Sequence, residues 1–293
     1  MKLLALPAPL QTALEGRLAA AIHLAVMAGH STLEHFQRDT FTVERKGDDS
    51  PVTIADKRAE QLIREELGQR YPHDAILGEE FGEQAGDSAY QWIVDPIDGT
   101  KSFISGVPLY STLVGIVSQR ECLGGVIYLP ALDEIVFAAR GCGAWHSAHG
   151  SEPQRCHVSS RSLADGLFVV SQVDSFARRN AMDAYHALES SAFVTRSWGD
   201  GYGYLLVATG RGELMVDPIA NPWDLAAVLP VIEEAGGRFT SWDGQPSVFG
   251  GDGVGSNGIV HDQALRALDS QVDALAIEKG KEQDLGGQRA GDQ

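Results

Sequence analysis

Trp92-Ile93-Val94-Asp95-Pro96-Ile97-Asp98-Gly99-Thr100 is the stretch from which the rest of the chain can be read. An apolar run of strand character leads directly into two acids, closed by Gly and Thr. A turn at that place aims both carboxylates at one point. Hard cations such as Mg²⁺ favour oxygen ligands, and bridging two of them takes several carboxylates, supplemented by a turn carbonyl such as that of Ile97. Alone, the same residues also suit an ordinary turn in which Asp95 and Asp98 bond neighbouring amides.

Two other acidic stretches flank it. Upstream, Gly78-Glu79-Glu80-Phe81-Gly82 ends a predicted strand with paired acids, able to supply a further ligand and a base behind it, or simply a solvated surface. Downstream, Asn221-Pro222-Trp223-Asp224 places an acid at a helix N-terminus, where it meets the helix dipole favourably whether or not it binds a metal. Thr53-x-x-Asp56 fits a capping box at the start of another helix.

Around these motifs the periodicity alternates between helix and strand. Leu14, Leu18, Ile22, Ala25 and Val26 recur at helical spacing within residues 14–36, and a second helix is predicted over 54–69, stopped by Tyr71-Pro72. Short β-rich segments follow at 75–77, 91–94, 109–117, 124–129 and 134–139. Beyond a polar stretch at 147–155 come a strand over 167–171, a helix over 176–188, a short strand-like segment at 193–196 and an apolar helix over 202–209. A helix opened by Asn221-Pro222 runs to about residue 235, kinked at Pro230 and ended by Gly236-Gly237. A last helix spans 262–277, and the polar tail 278–293 is expected to be disordered. The pattern is that of an α/β protein whose site lies between two subdomains, 1–145 and 146–277.

With 43% hydrophobic residues among 293, the chain can bury one large core or two smaller ones. Its 23 basic against 40 acidic residues give a net charge of −17, which repels nucleic acid and anionic membranes. A small anionic substrate remains compatible where bound cations reverse the local field. Cys122, Cys142 and Cys156 show no CxxC spacing, so neither a disulfide framework nor a zinc cluster is expected, and a reducing cytoplasm fits. No run approaches the ~18 apolar residues of a membrane span, and residues 1–10 hold one lysine and two prolines but no sustained apolar run, so a soluble, unexported protein is expected. His146, His149 and His157 lack ligand spacing and are expected at the surface.

In this order and spacing, GEE, DPIDGT and PWD resemble the three metal-binding motifs of the inositol monophosphatase family. The resemblance extends from Val52-Thr53-Ile54-Ala55-Asp56 to Glu233-Glu234-Ala235-Gly236-Gly237. It implies an αβαβα sandwich, a Mg²⁺-dependent phosphomonoesterase with two or three ions per site, and a homodimer. By resemblance, Glu79, Asp95 and the Ile97 carbonyl hold one metal, and Asp95, Asp98 and Asp224 another. Asp56 and Thr100, with help from Glu79, orient the attacking water. The Gly99 and Thr100 amides, with Asp98 and Asp224 nearby, receive the phosphate.

Thr100-Lys101-Ser102-Phe103 and Gly201-Tyr202-Gly203-Tyr204 resemble the histidinol-phosphate phosphatase branch of the family, which serves histidine biosynthesis. Asp217 and Asp200 are then candidates to recognise the ammonium and imidazole of such a substrate through charge-assisted hydrogen bonds. As residues alone, Asp200 also suits a helix N-cap, Asp217 a turn at a strand end, and Lys101 a solvated surface. Rival readings are an inositol-1-monophosphatase, a 3′-phosphoadenosine nucleotide phosphatase, and a non-enzymatic interaction protein.

Overall fold

The computed structural model describes residues 6–38, 44–45 and 51–269. The polar tail 278–293 and residues 270–277 of the expected last helix lie outside the described residues.

The strand that carries the central motif is longer than its apolar run suggests, spanning Tyr90–Asp98. Trp92 and Val94 point to one face and Ile93 to the other, the two-residue period of a strand buried on both sides. It lies in an eight-stranded sheet, next to Ser111–Ser118 on one side and Ala75–Gly78 on the other. Glu121–Leu129, Glu134–Ala139, Gly143–Ala148 and Gln154–Arg155 continue the sheet outward, and Gly82–Gln84 closes its far edge. The last two outward strands take up the two ends of the polar stretch 147–155.

A second, five-stranded sheet has the order Val194–Arg196, Leu167–Val170, Leu214–Asp217, Gly253–Ser256, Arg238–Thr240. Its first three strands are parallel and its last two pair antiparallel.

Helices form three layers around these sheets. Arg17–Thr32 and Ile54–Arg70 cover one face of the large sheet, packing Leu18, Leu24, Ile63 and Leu67 against Trp92, Val94, Val126 and Phe137. The first of these lies close to the sheet because it is rich in small residues: a Cβ at Gly29 would come within 2.7 Å of the Tyr128 ring. Between the sheets, Asp200–Ala208, Pro222–Leu225 and Val228–Glu234 bury Leu205, Val228 and Ile232 in one cluster with Ile93 and Ile127 of the large sheet and Met215 and Phe239 of the small one. The outer face of the small sheet is covered by Asp174–Arg178, Met182–Ser191 and residues 261–269, through Phe176, Leu188 and Ala264. This is the αβαβα sandwich that the resemblance implied.

Several helix boundaries differ from the periodicity. The first long helix begins at Arg17 rather than 14, because Leu14 and Glu15 adopt positive φ. The helix expected over 176–188 is two helices, separated where Asn180 takes φ +55°. Near Pro230 the break lies one turn upstream, at Ala226-Ala227, since a proline at 230 removes the donor that Ala226 O would accept. Both alanines keep helical dihedrals, so the chain direction persists across the break.

Candidate active site

Side chains alternate along a strand, so Asp95 and Asp98, an odd number of residues apart, should point to opposite faces. A bulge corrects this. Asp95 stands opposite Leu113 and Asp98 opposite Ser111, so three steps on one strand match two on the other. Pro96, which has no N–H to give to the ladder, sits inside the bulge, and Thr112 Oγ1 donates to its carbonyl at 2.9 Å. The acids therefore lie not in a free turn but in a bulged strand end, which fixes their directions more firmly.

Asp224 joins them from the helix Pro222–Leu225. One oxygen of each of Asp95, Asp98 and Asp224 falls within 4.8 Å of the other two, the only such group of three or more potential metal-ligating side chains among the described residues. Each carboxylate is held from behind: Asp95 Oδ1 accepts from Ile97 N at 3.0 Å, Asp98 Oδ2 from Ser111 Oγ and Gly201 N at 2.6 Å each, and Asp224 Oδ2 from Asn221 N at 2.6 Å. The Asn221 cap thus serves helix and site together.

These acids open on a cavity of about 280 Å³, which Glu79, Ile97, Gly99, Thr100, Asp200 and Trp223 also line. Burial, then the charges of Glu79, Asp98 and Asp224, push the Asp95 pKa well above the carboxylate range. Asp98 is also raised, by burial and the nearby Asp200 and Asp224, against the lowering effect of its two hydrogen bonds. Asp224 is pushed up to about 7, chiefly by burial. A set of clustered, desolvated oxygens whose charged forms are disfavoured is the arrangement that a hard divalent cation relieves. The donor set fits such an ion.

Asp56 is buried at the N-terminus of Ile54–Arg70 and does form the capping box with Thr53. Its Oδ2 accepts from Thr53 N at 2.8 Å and Thr53 Oγ1 at 2.6 Å, while Oδ1 lies 3.4 Å from Thr100 Oγ1. Thr100 Oγ1 in turn donates to Ile97 O at 3.0 Å. Gly99 takes φ +83°, and a Cβ there would meet Asp200 Oδ2 at 2.8 Å.

Asp200 is not the N-cap that its position suggested. Gly199 is, without a side-chain cap, and Asp200 is the first helical residue at φ +56°. Its carboxyl faces the cavity, with its pKa pushed up to about 7 by burial and the charge of Asp217, against Lys101. Asp217, at the end of its strand, lines a smaller recess of about 50 Å³ shared with Asp98, Asp200 and Asp224. Ser171 Oγ donates to it at 2.6 Å, and burial raises its pKa to about 6. Lys101 is exposed and reaches across to Gln172 Oε1 at 2.6 Å.

Of the histidines, His149 and His157 are exposed as expected. His146 is partly exposed, lying on a strand with its Nε2 2.7 Å from Glu134 Oε1.

Sequence reasoning missed Ser111, Gly201 and Glu60. Glu60 is fully buried and accepts from Glu80 N at 2.7 Å, Phe81 N at 3.2 Å and Arg64 Nε at 2.8 Å, so it holds the turn that carries Glu79. A Cβ at Gly78 would overlap its carboxylate, which explains the glycine before the two acids. The helical spacing of Asp56 and Glu60, one turn apart on one face, was the available signal.

A model of the inositol monophosphatase family matches residues 13–273. A histidinol-phosphatase of Chlorobaculum parvum is 41% identical over 237 residues, covering 81% of this chain and 90% of that protein. One of Mycobacterium tuberculosis is 39% identical, covering 86% and 98%. Among solved structures, the Thermotoga maritima IMPase superposes with a TM-score of 0.77 at 30% identity, covering 88% of this chain and 98% of its own.

Proposed function

The chain belongs to the inositol monophosphatase family and is a phosphoric monoester hydrolase, and from that premise we propose that it hydrolyses L-histidinol phosphate to L-histidinol and phosphate, a step of histidine biosynthesis. The observation that carries the substrate choice is the pair of buried acids, Asp200 and Asp217, beside the clustered carboxylates. A substrate with a cationic alcohol portion compensates both, whereas a neutral polyol leaves them uncompensated. The names of the relatives reported above support the same choice.

Mg²⁺ is the ion proposed for Glu79, Asp95, the Ile97 carbonyl, Asp98 and Asp224. Two or three such ions, when bound, lower the pKa of water and neutralise charge on the leaving alkoxide. The protein's own groups do the positioning. Thr100 Oγ1, between Ile97 O and Asp56 Oδ1, orients the attacking water; as it takes the water's proton its own hydroxyl hydrogen turns from Ile97 O and passes to Asp56 Oδ1, with Glu79 beside it. The amides of Gly99 and Thr100, at the start of a short helix, receive phosphate oxygens. Asp200 and Asp217 hold the ammonium and imidazole and so fix the ester for in-line attack.

The proposal extends to a homodimer working in the cytoplasm, without nucleic acid or membrane partners. Its supports are the family resemblance, the net charge of −17 and the three free cysteines. Among the described residues no helix is long and apolar enough to cross a membrane.

Phosphate release from L-histidinol phosphate by chelator-stripped protein, before and after adding Mg²⁺, tests this reading. Silence before and turnover after are expected. Equal release in both states, or none in either, overturns it.

A further inference from the structure

Ser111 stands directly opposite Asp98 in the sheet, fully buried, and its hydroxyl donates to Asp98 Oδ2 at 2.6 Å. The same oxygen accepts from Gly201 N, also at 2.6 Å, at the start of the helix Asp200–Ala208. One donor comes from the large sheet and the other from the helical layer between the sheets. The space is closed to anything larger: a Cβ at Gly201 would overlap Ser111 Oγ and lie 2.9 Å from Asp98 Oδ2. With both donors spent on Oδ2, the carboxylate is fixed in rotation, and Oδ1 is the oxygen left over on a side chain that lines the cavity.

We propose that Ser111 and the Gly201 amide form a two-donor clamp that presets Asp98 as a one-oxygen ligand for one of the metal ions, making Ser111 a positioning residue for that ion. This rests on the metal reading given above. A buried serine hydroxyl that merely satisfied its own hydrogen bond would affect stability without discriminating between ions. The clamp acts on Asp98, which by the resemblance serves one ion position, and leaves Glu79 and the Ile97 carbonyl of the other position untouched. Hydrogen-bond partners of ligating carboxylates commonly affect metal affinity by about 10–100-fold.

The test is a Mn²⁺ titration of the substrate-free, full-length protein, with free Mn²⁺ read by its EPR signal, on wild type and Ser111→Ala. The variant is expected to keep the tighter class of sites and to weaken a second class by about 10-fold or more. Ser111→Cys, which keeps the side-chain size but has only a weak S–H donor, is expected to move in the same direction. Retention of both wild-type affinities in either folded variant overturns the clamp, and so does an equal loss at both classes. Absence of any Mn²⁺ binding by wild type overturns the metal reading and the clamp with it, so the two failures are distinguishable.

Discussion

Thr100 Oγ1 lies 3.4 Å from Oδ1 of Asp56, the carboxylate oxygen that the helix cap does not use. The cap therefore occupies one oxygen of Asp56 and leaves the other for the proton-accepting role proposed above.

Asp56→Asn separates the two roles. An amide oxygen can still accept from Thr53, so unfolding free energy should stay within about 1 kcal/mol of wild type. A side chain that no longer takes a proton should lower kcat by about 10²–10⁴-fold. Thermal unfolding and steady-state kinetics on one preparation check both. Loss of stability with full activity would leave Asp56 as a cap alone.

Asp95 is buried among Glu79, Asp98 and Asp224. Asp95→Asn removes a charge from that cluster, so Mg²⁺-dependent hydrolysis should fall by about 100-fold or more, while the metal-free protein stays at least as stable as wild type near pH 8. Undiminished hydrolysis would defeat its assignment as the bridging ligand.

Burial raises Asp200 and Asp224 to about 7 and Asp217 to about 6. Unfolded, each titrates near about 4, so between that pH and about 7 the metal-free native state binds more protons than the unfolded chain. Their contribution is present at low pH and is lost as pH rises through the folded values. In EDTA, melting at pH 5.5 should therefore exceed that at pH 8, and saturating Mg²⁺ should raise the pH 8 value most. A metal-free melting temperature that climbs over this interval would show these acids to be ionised at little cost.

Glu60 ties Arg64 to the backbone of Glu80 and Phe81. Glu60→Ala leaves the Arg64 guanidinium and two amides without it and should destabilise the fold by about 3 kcal/mol. The divalent-ion requirement should rise too, because the turn bearing Glu79 loosens. A Mg²⁺ dependence identical to wild type would confine Glu60 to stability.

What the sequence revealed follows how far apart the interacting residues lie. The acids of DPIDGT were legible because strand, proline and acids are contiguous, yet the bulge that turns Asp95 and Asp98 to one side depends on the register with Ser111–Ser118. Asn221 and Asp224 could be read as a cap because they are neighbours. Gly201 could not be read as a donor to Asp98, since 103 residues separate them. Gly253–Ser256 and Arg238–Thr240 escaped notice as strands because they are short and, in the first, rich in glycine. Asn180 and Asp200 take positive φ, a conformation that Asn and Asp adopt more readily than other side-chain-bearing residues without being fixed in it by their neighbours in sequence.

The most direct test compares kcat/KM with Mg²⁺ for L-histidinol phosphate, inositol 1-phosphate and 3′-phosphoadenosine 5′-phosphate. The account predicts a clear preference for histidinol phosphate, lost in Asp217→Asn. Preference for either of the others would contradict the assignment of Asp200 and Asp217 as receptors for a cationic substrate.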